Sequence, residues 1–226
     1  MISVAIDGPS GAGKSTLAKR LAKELGYIYV DTGAMYRSIG LFGLREGADL
    51  HSADAMEALL PRIHLELASM DGAQHIYLNG EDVSETIRQE QVGMAASAVA
   101  AHPCVRSFLL GLQRGMAEKQ NVLMDGRDIG TVILPNATVK IFLTASPEAR
   151  AERRMKELVE KGQPAEYEKV LEDIRQRDYQ DTHRETAPLR QAEDAVLADT
   201  SELDFDESFA LLKKIIAEKA GGNAAL

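Results

Sequence analysis

The sequence predicts an α/β fold: a parallel sheet with helices on both faces. Three observations carry this. Short apolar runs alternate with helical stretches along most of the 226 residues, which is the pattern of a parallel sheet wound with crossover helices. The first apolar run breaks at once into IDGPSGAGKST, residues 6 to 16, a glycine-rich turn leading into a helix. The stretch from about Ser52 to Ala101 departs from the alternation and reads as a small α/β lobe inserted into the series.

Taken in order, Ser3–Ile6 is the first strand. Lys14–Leu25 is the first helix, with Leu17, Leu21 and Leu25 on one face and Gly26 as its stop. Tyr27–Val30 is a second strand, and Ala34–Leu44 a helix opened by Asp31 or Thr32 as cap. Beyond Ser52 a helix is followed by strands Ile63–Ala68 and His75–Leu78, with Asp71-Gly72 as a hairpin turn and Asn79-Gly80 as the next turn. Val105–Lys119 is a helix; Asn121–Met124 and Val139–Thr144 are buried strands. Charged helices fill Pro147–Lys161 and Glu166–Asp178, Ala195–Ala198 is the last strand, Glu207–Lys219 the last helix, and Gly221–Leu226 an unstructured tail. The expected organisation is one domain: a core of residues 1–51 and 102–226, an inserted lobe at about 52–101, and a short arginine-rich lid at about 150–187.

Composition narrows the function. A net charge of −9 is the wrong sign for a protein that lives on a nucleic-acid backbone, yet arginines cluster locally in 150–154 and 175–190. A small polyanion held in a basic cleft reconciles the two facts. No apolar run of 18 residues is present to span a membrane, and no basic region precedes an apolar segment at the start, so a cytoplasmic protein is expected. Cys104 is the only cysteine, which excludes an intrachain disulfide and a cysteine metal cluster; a buried, small apolar role is expected for it. The five histidines scatter without a partner pattern and read as structural.

Gly8-Pro9-Ser10-Gly11-Ala12-Gly13-Lys14-Ser15 fits G-x-x-x-x-G-K-[ST] between a strand and a helix, the context a P-loop requires. Its glycines let backbone N–H groups turn inward around an oxyanion, and the helix N-terminus adds partial positive charge. A phosphate chain therefore belongs there, held by Gly8 to Thr16. Lys14, placed at the start of an exposed helix turn, would reach the β and γ phosphates, and the Ser15 hydroxyl would ligate Mg²⁺.

Three further stretches offer the parts of a phosphoryl-transfer site. Asp31-Thr32-Gly33-Ala34-Met35-Tyr36-Arg37 follows the second strand, where α/β folds bind ligands. Asp125-Gly126-Arg127-Asp128 follows a buried strand, with Asp125 as the carboxylate behind the metal. Arg175 to Arg184 places several arginines at the end of a charged helix. Each alone has a plain structural explanation, as a cap, a polar turn or a solvated helix face. A GTPase would need N-K-x-D, and no asparagine here precedes lysine. A small kinase fits best, with a kinase for another nucleotide or metabolite, or a non-kinase P-loop ATPase module, as alternatives.

GPSGAGKST, DTGAMYR, LNGEDVSETIR, DGRDIGTVI, KIFLTAS and RDYQDTHRETAPL, in this order and spacing, resemble the bacterial cytidylate kinases, P-loop nucleoside monophosphate kinases, over Ile2 to about Lys219. The resemblance implies transfer of the γ-phosphoryl group of ATP to CMP or dCMP with Mg²⁺. It implies an acceptor site in which Thr32, Arg106 and Asp128 surround the cytosine, Arg37 and Arg127 hold the acceptor phosphate, and Asp181 and Arg184 meet the sugar hydroxyls. Arg177, with Arg153 and Arg154, would belong to the lid. Lys14, Arg127, Arg177 and Arg184 are the expected catalytic groups. No general base is needed, because the acceptor is already a phosphate dianion. The partners expected are these nucleotides alone, with neither nucleic acid nor membrane, acting on a monomer.

Overall fold

The computed structural model describes residues 1–70, 73–160 and 162–221. It opens with β1 (Ser3–Asp7), α1 (Lys14–Leu25), β2 (Ile28–Asp31) and α2 (Thr32–Arg45). Next come α3 (Ala53–Leu59), the short strands β3 (Leu65–Met70), β4 (Ala73–Leu78) and β5 (Glu81–Asp82), then α4 (Glu90–Val99) and α5 (Pro103–Lys119). The chain continues with β6 (Val122–Gly126), β7 (Val139–Thr144), α6 (Pro147–Glu160), α7 (Tyr167–His183), β8 (Val196–Asp199) and α8 (Phe205–Lys219). Two compact units result: one holds Ile28–Gln120 with Met1, the other Ile2–Tyr27 and the chain from Asn121 onward.

In the second unit the strands run in the order β6-β1-β7-β8, all parallel. β1 pairs Ser3 with Val122 through Asp7 with Gly126 on one side, and Val4 with Val139 through Asp7 with Phe142 on the other. Its Val4, Ala5 and Ile6 are fully buried, as expected of a strand covered on both faces. α1 packs against β6 and α8, and α8 packs against β7 and β8. β6 runs two residues past the expected Met124, because Ile6 and Asp7 continue the ladder to Asp125 and Gly126.

Local chemistry explains the other shifted boundaries. α8 starts at Phe205 rather than Glu207 because Asp204 and Glu207 form a reciprocal capping box. α7 runs past the expected Asp178 to His183. There Thr182 Oγ1 donates to the Asp178 carbonyl at 2.7 Å, and the Tyr179 and His183 rings stack 4.0 Å apart. Ala151 of α6 packs with Leu171 and Ile174 of α7 in a small apolar cluster, flanked by Tyr167 and Val170. α6 is described to Glu160; the expected helix end at Lys161 and most of the expected tail lie outside the described residues.

In the Ile28–Gln120 unit, β3, β4 and β5 form an antiparallel sheet. Leu65 faces Leu78, and Leu67 faces Ile76. This alternation puts their apolar side inward and Glu66 outward, the half-buried pattern of antiparallel strands. The expected hairpin turn, Asp71-Gly72, lies outside the described residues. α4 has no side-chain cap from Gln89, and buries Val92, Ala95 and Val99 along one face. It packs closely on α2: a Cβ at Gly40 would lie 2.9 Å from the Ala96 nitrogen. Cys104 is half-buried on α5, so the expected full burial does not hold: the apolar face of α5 is taken by Val105 and Leu109 instead.

The tightest constraint in the sheet unit is Gly8, at φ +155°, where an added Cβ would lie 1.9 Å from the Leu143 carbonyl oxygen on β7. Backbone, not a flexible side chain, is in the way. Gly8→Ala is expected to destabilise the protein by about 3 kcal/mol, read as a fall in the urea midpoint at unchanged m-value; a midpoint within error of wild type would show that β7 yields easily.

Candidate active site

The loop between β1 and α1 is shaped by positive φ angles at Gly8, Gly11 and Gly13, 155°, 75° and 84°. Gly13 is also the N-cap of α1, and no side chain caps it. The first N–H groups of a twelve-residue helix, with their partial positive charge, are thus turned toward whatever the loop holds. A Cβ on Gly11 would touch Arg150 at 3.4 Å. Pro9 and Ala12 are buried, Ser10 and Ser15 half-buried, Thr16 exposed.

Lys14 is not at an exposed turn as expected: it is 5% exposed, and its Nζ donates to the Pro9 carbonyl at 2.6 Å. The loop curls over its own lysine, which is why the side chain is covered. Burial pushes its pKa down first, and the Arg127 guanidinium pushes the same way; Asp125, Asp181 and Asp7 push back, leaving it at about 7. Ser15 Oγ donates to Asp125 Oδ2 at 2.7 Å. A hydroxyl and a carboxylate so close are the hard oxygen donors Mg²⁺ takes, a small protein set completed by phosphate oxygens and water.

Arg127, Asp128, Asp181 and Arg184 converge in the same unit. Arg127 Nε donates to Asp181 Oδ2 at 2.7 Å, and Arg184 Nη2 lies 3.7 Å from Asp128 Oδ1. Asp128 is 4% exposed. Burial raises the Asp181 pKa, but Arg127, by its charge and its hydrogen bond, and then Arg184 and Lys14 outweigh it and hold the carboxyl below its ordinary value. Asp181 therefore stays ionised beside two guanidinium groups.

The expected lid arginines divide. Arg177 is exposed on α7. Arg153 donates to the Thr200 carbonyl, just past β8, at 2.5 Å, and Arg154 to Glu157 on its own helix at 3.0 Å. Arg150, which the sequence offered only as one of a cluster, is 2% exposed. It donates to the Ser10 carbonyl at 3.0 Å and grips Asp178 with both terminal nitrogens at 2.8 and 2.5 Å. It thus fastens the phosphate loop to α7 by a bidentate pair.

Asp7 is the second residue that sequence reasoning missed. It is 5% exposed, and its carboxylate accepts from the Ile129 and Gly130 amides, each at 2.7 Å. Burial raises its pKa to about 6 against the lowering by those two bonds; Asp128 raises it and Lys14 lowers it further. The available signal was an acid directly after the apolar run Val4–Ile6.

In the other unit, Asp31 is the cap of α2, accepting from the Ala34 amide at 2.9 Å and pairing with Arg37 at 2.9 Å. This settles the choice between Asp31 and Thr32. Thr32 is 3% exposed. Arg106 donates to the Ala100 carbonyl at 3.2 Å with its guanidinium 5.7 Å from the Tyr36 ring centre, a cation–π distance.

The buried lysine generates a pH prediction. A lysine whose folded pKa lies below its unfolded value costs stability in full below about pH 7, and the cost fades as pH rises toward 10.5. Lys14→Met is expected to be more stable than wild type at pH 6, by at least about 1 kcal/mol, with the gain shrinking at pH 9.5, as urea melts will show. An equal difference at both pH values would place the cost elsewhere than on the charge.

Comparison with known proteins gives the family. The family described as cytidylate kinase matches residues 4–218. A protein named cytidylate kinase from Geobacillus kaustophilus is 50% identical over 220 residues, 97% of this chain and 98% of the relative. Another of that name from Carboxydothermus hydrogenoformans is 49% identical over 216 residues, 96% of this chain and 97% of the relative. Among solved structures, an uncharacterized protein from Eubacterium ventriosum shares the fold with TM-score 0.53 at 13% identity, over 96% of this chain and 98% of that one. With the phosphate loop, the paired Ser15 and Asp125, and the arginine cluster in place, the chain belongs to the cytidylate kinase family.

Proposed function

We propose that the protein transfers the γ-phosphoryl group of ATP to CMP or dCMP, giving ADP and CDP or dCDP. The observation that carries this reading is the family match across residues 4–218. The triphosphate is taken by the backbone of Gly8 to Thr16, with Lys14 reaching the β and γ phosphates. Ser15, supported by Asp125, would hold Mg²⁺. The metal would neutralise phosphate charge and leave the side chains the work of orientation.

The roles on the acceptor side are those that the resemblance to the family implies. Phosphoryl transfer between two nucleotides brings like charges together, so cations must be fixed before the reactants arrive. Arg127 is held by Asp181, and Arg184 lies 4.0 Å from Asp181 and 3.7 Å from Asp128; the two arginines would serve the transferring group, and Arg127 and Arg37 the acceptor phosphate. Asp181 and Arg184 would meet the sugar hydroxyls, and Thr32, Arg106 and Asp128 the base. Arg177, with Arg153 and Arg154, would form the lid in the segment 150–187, excluding water so that ATP is not hydrolysed. The protein is read as a cytoplasmic monomer with one domain, its inserted lobe at about 52–101.

Cytosine presents its N4 amine where uracil presents an acceptor oxygen, so an aspartate reads the difference. ADP release in a coupled assay is expected to require CMP or dCMP, with UMP at least about tenfold poorer in kcat/KM. Asp128→Ala is expected to lower kcat/KM for CMP more than about tenfold and shrink the preference over UMP, whereas Arg37→Ala weakens both alike. ADP release indifferent to any monophosphate would instead identify a P-loop ATPase.

A further inference from the structure

Asp128 stands where a helix-capping aspartate normally works. It is the N-cap of a wide helical turn, Ile129–Ile133, at φ −144° and ψ 26°, but its side chain makes no capping bond. Its carbonyl instead accepts from Val132 and Ile133, at 2.9 and 3.2 Å. The first amides of such a turn have no partner within it and need an acceptor from outside. Here the acceptor is Asp7, 122 residues earlier for Ile129 and 123 for Gly130, both at 2.7 Å.

We propose that Asp7 is a positioning residue: by capping the Ile129–Ile133 turn in place of Asp128, it keeps the Asp128 carboxylate off its own backbone and directed to the acceptor nucleotide. The geometry leaves little slack. Gly130 sits so close that a Cβ there would be 3.3 Å from Asp7 Oδ2 and 3.1 Å from Lys140 Cδ. The Asp128 side chain, 5% exposed, lies beside Arg184 at 3.7 Å. Because Asp7 also ends β1 next to Gly8, one carboxylate fixes both the root of the phosphate loop and the turn that follows Arg127 and Asp128.

Without Asp7, the Gly130 and Thr131 amides become the partners an N-cap aspartate ordinarily takes, at its second and third following positions. Asp128 then turns inward. The loss of Asp7 should therefore resemble the loss of Asp128, and the two losses should not add.

This rests on the acceptor reading of Asp128 given above, so the test has two arms. The first is amide hydrogen exchange, which needs no activity. Asp7→Ala should leave Gly130 protected within about tenfold of wild type, because Asp128 takes over; Asp7→Ala/Asp128→Ala should lose more than about a hundredfold. Full loss in Asp7→Ala alone overturns the proposal whatever the substrate. The second arm is kinetic. Asp7→Ala should raise KM for CMP more than about tenfold and shrink the preference for CMP over UMP, and adding Asp128→Ala should do little more. A fall in kcat with KM and preference unchanged, or additive losses, overturns it as a merely structural effect. If wild type shows no CMP-dependent turnover, or Asp128→Ala alone leaves base preference intact, the acceptor reading of Asp128 fails, and the proposal with it, since Asp7 is then only a cap. Should Asp7→Ala not fold, Asp7→Asn, which keeps one acceptor oxygen, is held to the same outcomes at smaller size.

Discussion

A lysine buried at the end of a parallel sheet, with carboxylates and an arginine around it, is the constraint on which the candidate site depends. Taking an ammonium out of water is costly, and Lys14 lies in the field of Arg127 as well. The compensation comes from Asp125, Asp181 and Asp7, each delivered by a different element. The β1–β6 register supplies two of them, since Ile6 pairs with Asp125 and Asp7 with Gly126. The third comes from α7, and only because that helix continues to His183 and carries Asp181 on its last turn. The charge balance at one lysine therefore depends on strand register and helix length together.

The arginines are arranged on the same principle. A guanidinium aimed into a site by a long, rotatable stem is imprecise unless something holds it. Arg127 is held by Asp181 at 2.7 Å with both side chains about a quarter or less exposed, and Arg150 by Asp178 with its side chain 3% exposed. Such half-buried pairs are weak evidence of net stability. Their consequence is orientation, which is what catalysis of phosphoryl transfer requires. The Arg150 bond to the Ser10 carbonyl extends this to the phosphate loop itself, so the loop and α7 share one set of polar contacts.

Much of the fold was legible because its signals are local. The glycines of the loop, the leucine face of α1 and the apolar runs of β1, β6 and β7 each lie within a dozen residues, and the structure places them as read. What was not legible depends on distant partners. Asp7 and Gly130 are 123 residues apart, Arg150 and Asp178 28, and no periodicity announces such pairs. α4 was missed because its buried face, Val92, Ala95 and Val99, is built of small residues, a weaker signal than the leucine face of α1. Lys14 was misjudged for a related reason: a position at the start of a helix suggests exposure, whereas the loop that precedes it folds back to cover the side chain. The site residues from Arg127 to Arg184 were readable as charges in sequence, while which carboxylate holds which arginine was not.

The central claim is that Lys14 carries an electrostatic cost which a polyphosphate relieves. Calorimetric titration of the protein with ATP at pH 8, in buffers of different ionisation enthalpy, tests it directly. With the Lys14 pKa at about 7 before binding, uptake of close to one proton per ATP bound is expected, abolished in Lys14→Met. Binding heats independent of the buffer in wild type would contradict it, because they would mean that the lysine is already fully charged before the phosphates arrive.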